Sequence, residues 1–208
     1  MKLIKTLLAA SFILLSTLAS AEYVAGTDYK VINPPISTST GNKVEVLEFF
    51  FYGCSHCFHM HPHLSAWEKK KPRDVEVVLV PTMLNAQWEP MAYTYYALET
   101  LGLQHKLHEA LYEEWNVKNT VLVNEADITE FVSKRGVDAK KFGEAYHSFG
   151  VQSKVTRGKQ LTQSYGIRGT PTIIVDGKYL ITGLQPAAAI LVMNELVEKS
   201  RKEHANKR

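Results

Sequence analysis

Two cysteines, Cys54 and Cys57, stand three positions apart in a chain of 208 residues and are its only thiols. A bridge across so small a loop restricts little unfolded-chain entropy, so the pair is a poor structural staple. The spacing suits chemistry instead. Cysteines at i and i+3 at the start of a helix share one side of its first turn. Unpaired N–H groups and the helix dipole stabilise an anion on the first sulfur and lower its pKa. The thiolate is the attacking species in disulfide exchange and also the better leaving group. A stabilised thiolate favours the dithiol, which makes the disulfide form a stronger oxidant. Cys54 therefore reads as the exposed nucleophile and Cys57 as the buried resolving thiol of one redox disulfide. His56, between them, reads as a tuner that donates a hydrogen bond or carries charge beside sulfur, and Ser55 constrains the turn little.

The same residues admit other readings. Haem attachment needs a histidine directly after the second cysteine, and position 58 is Phe. His56, His59, His61 and His63 surround the pair, and Cys57 with His61 lie at i, i+4, so a zinc or copper carrier is an alternative. Ligands crowded on one helix do not readily close a tetrahedron, and there is no second cysteine pair. The expectation is no metal and no cofactor. An inert bridge in a binding module leaves unexplained why everything reactive gathers at one helix start.

The elements that would position this turn follow from composition. Asp28 to Asn33 reads as a short strand ended by Pro34-Pro35. Val44 to Phe51 is a run of β-branched, aliphatic and aromatic residues broken only by Glu45 and Glu48, which suits a strand buried on both faces. Gly53 ends it, and a helix from Cys54 to about Lys70 follows with Pro62 inside. Val75 to Val80 is a second buried-strand pattern. Helices are expected over 89–101, 104–115, 124–135, 139–147 and 151–165, with Asn124 and Asp138 as N-caps. Thr172 to Val175, Asp176-Gly177 and Lys178 to Thr182 make a hairpin, and a last helix runs from Pro186 through Val197. Two α/β halves around an all-helical block suggest one sheet layer with an insertion. The expected division is 22–82 with 151–208 as the sheet domain and 83–150 as the helical insertion.

The first 21 residues are set apart from this fold. Lys2 and Lys5, the apolar run Leu7 to Leu18, and Ala19-Ser20-Ala21 have the architecture of a secretory signal cleaved after Ala21. The run is too short for a bilayer, which needs about 20 residues. The net charge of +3 falls to +1 once Lys2 and Lys5 are gone, and no nucleic-acid footprint is evident. The basic stretch from Lys199 to Arg208 reads as a solvated helix tail.

At Phe49-Phe50-Phe51-Tyr52-Gly53-Cys54-Ser55-His56-Cys57 the chain resembles the DsbA-like thiol oxidases of the thioredoxin superfamily. Gly169-Thr170-Pro171-Thr172, Asp176-Gly177-Lys178-Tyr179 and Pro62 carry the resemblance further, over essentially all of the mature chain. It implies a thioredoxin fold with an inserted helical domain and a monomeric periplasmic oxidase that donates a disulfide to reduced exported polypeptides. It implies reoxidation by a membrane quinone reductase of the DsbB type. It also implies a cis Pro171 against the cysteines, a peptide groove near Ser55, Thr170, Pro171, Phe51 and Tyr52, and a proton-relay role for Glu48. The family's lysine partner of that glutamate has no clear counterpart, Val75 standing near its place. Thr170 departs from the valine of the best-known oxidases and favours a reductase or isomerase as the alternative, although no dimerisation segment accompanies it.

Overall fold

The β-branched runs form strands, and their pairing explains their composition. A computed structural model describes residues 23–206, so the expected signal segment, residues 1–21, lies outside the described residues. In chain order the elements are β1 (Lys30–Val31), β2 (Val44–Phe50), α1 (Ser55–Glu68), β3 (Val75–Pro81), α2 (Glu89–Thr100), α3 (Gln104–Asn116), α4 (Glu125–Ser133), α5 (Ala139–Tyr146), α6 (Phe149–Ser164), β4 (Thr172–Val175), β5 (Tyr179–Thr182) and α7 (Pro186–Ala205). A single 3-10 turn, Ala86–Trp88, precedes α2. The strands form one sheet in the order β1-β5-β4-β2-β3.

β2 lies inside the sheet, parallel to β3 and antiparallel to β4, and all seven of its residues are buried. That double coverage is why its sequence does not alternate. On one face Met60 and Leu64 of α1 and Val192, Met193, Leu196 and Val197 of α7 pack against Val44, Val46, Ile173 and Val175. On the other, Tyr165 and Ile167 just after α6 pack on Leu47, Phe49, Val80 and Ile174, with Leu161 of α6 against them. The hairpin turns at Asp176 and Gly177, both at positive φ as a tight two-residue turn requires. A side chain at Gly177 would collide with the Ile36 carbonyl.

α2 to α5 build a second core rich in aromatic rings. The side chain of Asn124 accepts from the Asp127 N–H and that of Asp138 from the Lys141 N–H, as expected of N-caps. Ser148 caps α6 in the same way and starts it two residues before the expected position. Val151 and Val155 of α6 belong to the helical core and Leu161 packs on the sheet, so α6 straddles the boundary expected at residue 150. The tail that reads as solvated is a continuation of α7. Arg201 bonds Asp74, His204 meets Asp176, and Glu203 holds Lys178 and Tyr179. Among the described residues no helix is long and apolar enough to cross a membrane.

Candidate active site

Cys54 is the N-cap of α1, with extended backbone angles and no side-chain cap of its own. Its N–H donates to the Phe51 carbonyl at 3.0 Å, which turns the chain sharply from the end of β2 into the helix. Its sulfur lies 3.3 Å from the Thr170 carbonyl oxygen, across 116 residues of sequence. Thr170–Pro171 is a cis peptide, so the segment entering β4 sits against the cysteine turn. Cys57, one turn into α1, has no exposed surface, whereas Cys54 is partly open to solvent. The two thiols are unbridged, which corresponds to the reduced pair.

The two sulfurs have opposite acidity. The Cys54 thiol is lowered to about 5, first by the hydrogen bond it receives from the Cys57 thiol. Partial burial works against this, and the Thr170 hydroxyl and the N–H groups of Cys57 and His56 add to it. These are the donors that a helix start offers an anion. Burial pushes the Cys57 thiol far up, reinforced by the neighbouring Cys54 and Glu48. One sulfur is thus an anion at neutral pH and the other a thiol.

Glu48 lies in the centre of β2, opposite Leu79 of β3 and Ile173 of β4. It is 2% exposed, and its Oε1 has no hydrogen-bond partner among the described residues. Burial, then the negative charges of Glu68 and Cys54, raise its carboxyl to about 8, so it is mostly protonated at neutral pH. Val75, near the place of the missing lysine, pairs with Val44 at the far end of the strand.

Phe51 and Tyr52, expected to line a peptide groove, are at 6% and 1% exposure and form its foundation instead. The helical block covers them. Trp88 stacks on Phe51 at 4.0 Å between ring centroids, and Trp115 of α3 meets the same ring edge-on. The Tyr52 hydroxyl hydrogen-bonds His108 Nδ1 at 2.7 Å, and Asn116 donates to the Tyr52 carbonyl at 2.8 Å. Gly53 has no room for a side chain: a Cβ there would come within 2.5 Å of Phe51 and 2.6 Å of Trp115. Trp88 and Trp115, which sequence reasoning did not single out, therefore shape the turn. Their signal was absent because the contact depends on how the helical block docks.

Ser55 and His56 are exposed beside Cys54. The His56 ring makes no hydrogen bond or ion pair among the described residues, and the residue contributes its backbone N–H toward the Cys54 sulfur. The histidines separate. His59 and His63 are exposed, while His61 packs on the His108 ring at 4.8 Å. Among the described residues no three His, Cys, Asp or Glu side chains are grouped to hold a metal.

Comparison with known proteins agrees with this geometry. The family description "DSBA-like thioredoxin domain" matches residues 59–191. The thiol:disulfide interchange protein DsbA of Pseudomonas syringae is 32% identical over 198 residues, covering 94% of this chain and 92% of that protein. DsbA of Burkholderia cepacia is 37% identical over 182 residues, 86% of this chain and 85% of that one. The crystal structure of Pseudomonas aeruginosa DsbA superposes with a TM-score of 0.84 at 31% identity, over 89% of this chain and 97% of the other. Reduced DsbA1 from Neisseria meningitidis gives 0.80 at 27% identity, over 89% and 99%.

Proposed function

This chain belongs to the DsbA-like thioredoxin family, and from that premise we propose that it is a periplasmic oxidase that introduces disulfides into reduced exported polypeptides. The observation that carries the reading is the contrast between an acidic, partly exposed Cys54 and a buried, proton-retaining Cys57.

In the oxidised enzyme a substrate thiolate attacks Cys54 Sγ, the Cys54–Cys57 bond breaks, and a mixed disulfide forms at Cys54. Cys57 leaves as a thiolate in a site that strongly disfavours its charge. The protonated Glu48 carboxyl supplies the proton, and Gln in its place removes that donor. The substrate's second thiolate then attacks its own sulfur in the mixed disulfide. Cys54 departs as a thiolate that its hydrogen bonds stabilise, and the substrate keeps the new disulfide. Two electrons have moved from substrate to the cysteine pair. A membrane quinone reductase of the DsbB type removes them, and the enzyme acts as a monomer.

Ser55, Thr170 and Pro171 form the surface that receives the substrate backbone, with Phe51 and Tyr52 beneath. Pro171 lacks an N–H, so Thr170 offers the backbone groups for strand-like capture beside the sulfur. His56 tunes the pair. The N-terminal 21 residues serve export. The helical block, residues 83–150, is an insertion that holds the cysteine turn from behind.

The redox equilibrium of the Cys54/Cys57 pair against glutathione, followed by thiol trapping, tests the direction of electron flow. A strongly oxidising pair is expected. A pair as reducing as thioredoxin's, about −270 mV, would replace the oxidase with a reductase.

A further inference from the structure

β3 is an edge strand, and its open side faces a cavity of about 690 Å³. Apart from their bonds to β2, the backbone groups of Glu76 to Leu79 have no hydrogen-bond partner among the described residues. Leu64 and Glu68 of α1 form one wall, Arg157 and Leu161 of α6 the other, and α2 and α3 close one end. The slot is therefore bounded on both faces of the sheet while the strand edge at its floor stays free. An unpaired strand edge is a template for a further strand. The volume lies within the range of binding clefts.

The lining is unevenly charged. Six glutamates, Glu45, Glu48, Glu68, Glu76, Glu99 and Glu109, face it, against Lys154 and Arg157. Glu48 is largely neutral, Glu99 already holds Lys154, and Glu76 holds Lys43. Glu45 accepts from the Ser39 N–H and hydroxyl. Glu68 and Glu109, on the α1 and α3 side, are exposed and form no salt bridge among the described residues. Of the histidines facing the slot, His61 and His108 are held toward the neutral form, since burial lowers the pKa of both. Arg157, on the α6 wall, likewise forms no salt bridge among the described residues, so the unneutralised carboxylates outnumber it and lie on the α1 and α3 side.

We propose that the β3 slot binds an extended, cationic stretch of the polypeptide being oxidised, added as a strand to Glu76–Leu79 with lysine or arginine side chains directed to Glu68 and Glu109. Alternate side chains of such a strand point to opposite walls, so the preferred pattern is a cation at every second position with aliphatic residues between. The site is separate from Cys54. Only the identity of the bound chain rests on the oxidase reading, and the edge and its charge do not.

The test uses the Cys54→Ser protein, so that no covalent capture contributes, and a short capped cysteine-free peptide of alternating lysine and valine. Amide shifts centred on Glu76 to Leu79 are expected, with binding that weakens as salt is raised. The Glu68→Gln/Glu109→Gln protein should bind about fivefold more weakly, since two exposed charge contacts are lost. A glutamate–valine peptide should bind more weakly still. Shifts centred on Thr170 and Pro171 instead, equal affinity for both peptides, or no binding would each overturn the proposal. The glutathione equilibrium of the wild-type pair is measured separately, so failure here and failure of the oxidase reading give different results.

Discussion

The front and the back of the cysteine turn are built from different materials. At the front, the partly exposed Cys54 meets backbone N–H groups and a threonine hydroxyl. At the back, Cys57 meets Glu48 and a wall of buried rings in which even polar atoms, Glu48 Oε1 and the Tyr112 hydroxyl, lack partners among the described residues. The front supplies donors that outweigh a partial desolvation, and the back supplies full desolvation and few donors. Two identical side chains three residues apart are thereby driven to different charge states, one anionic and one neutral. The comparison teaches that the turn is polarised by its neighbours on both sides, beyond the helix dipole that the spacing alone suggests.

Changes at the front should act first through chemistry. Cys54→Ser removes the attacked sulfur, and turnover of a reduced peptide should fall about a thousandfold or more. Activity near wild type would contradict the assignment of roles.

The back should reveal itself through protons. Glu48→Gln should slow turnover of a reduced peptide about tenfold or more at neutral pH. The same substitution should stabilise the fold. A carboxyl whose folded pKa of about 8 exceeds its unfolded value of 4.5 contributes stability that is lost as pH rises from one value to the other. At pH 7 Glu48→Gln should therefore gain on the order of 3 kcal/mol in urea unfolding, with no gain below pH 4. An unchanged rate and an unchanged pH profile together would remove Glu48 from the mechanism.

The front has the opposite linkage. Cys54 is lowered in the folded reduced protein, so its thiolate contributes stability above the folded value that is lost as pH falls through about 5. The reduced protein should unfold at higher urea than the oxidised one at pH 7, and the gap should narrow toward pH 4. Thr170→Val removes one hydroxyl donor and should raise the Cys54 pKa by under about one unit, read from thiolate absorbance. The smallest effect belongs to the frame. Tyr52→Phe loses the bond to His108 and should cost about 1 kcal/mol, without moving the Cys54 titration.

Much of this was legible in the sequence where the determinants are local. The β2 run, the Asp176-Gly177 hairpin and the caps at Asn124 and Asp138 each carry their reason within a few residues, and each stands where expected. The end of α7 was not legible, because Arg201, Glu203 and His204 are held by Asp74, Lys178, Tyr179 and Asp176 from distant strands and loops. The site divides in the same way. Cys54 and Cys57 stood out by spacing and Glu48 as a carboxylate in an apolar strand, its relay role coming only from the resemblance, whereas the burial of Phe51 and Tyr52 depends on Trp88 and Trp115 arriving from the helical block. The β3 slot draws on five or more elements and has no sequence signature at all.

The Cys54–Thr170 contact also sets a schedule. The two residues are separated by 116 positions, so a chain delivered from its N-terminus exposes Cys54 long before Thr170 follows. α1 is only 14 residues long, and isolated helices of that length are marginal in water, so its donors also wait for the sheet and α7 to form. Until then Cys54 is an ordinary thiol, largely protonated and slow to react. The emerging chain is thus protected from its own chemistry, and full reactivity arrives only with the completed fold.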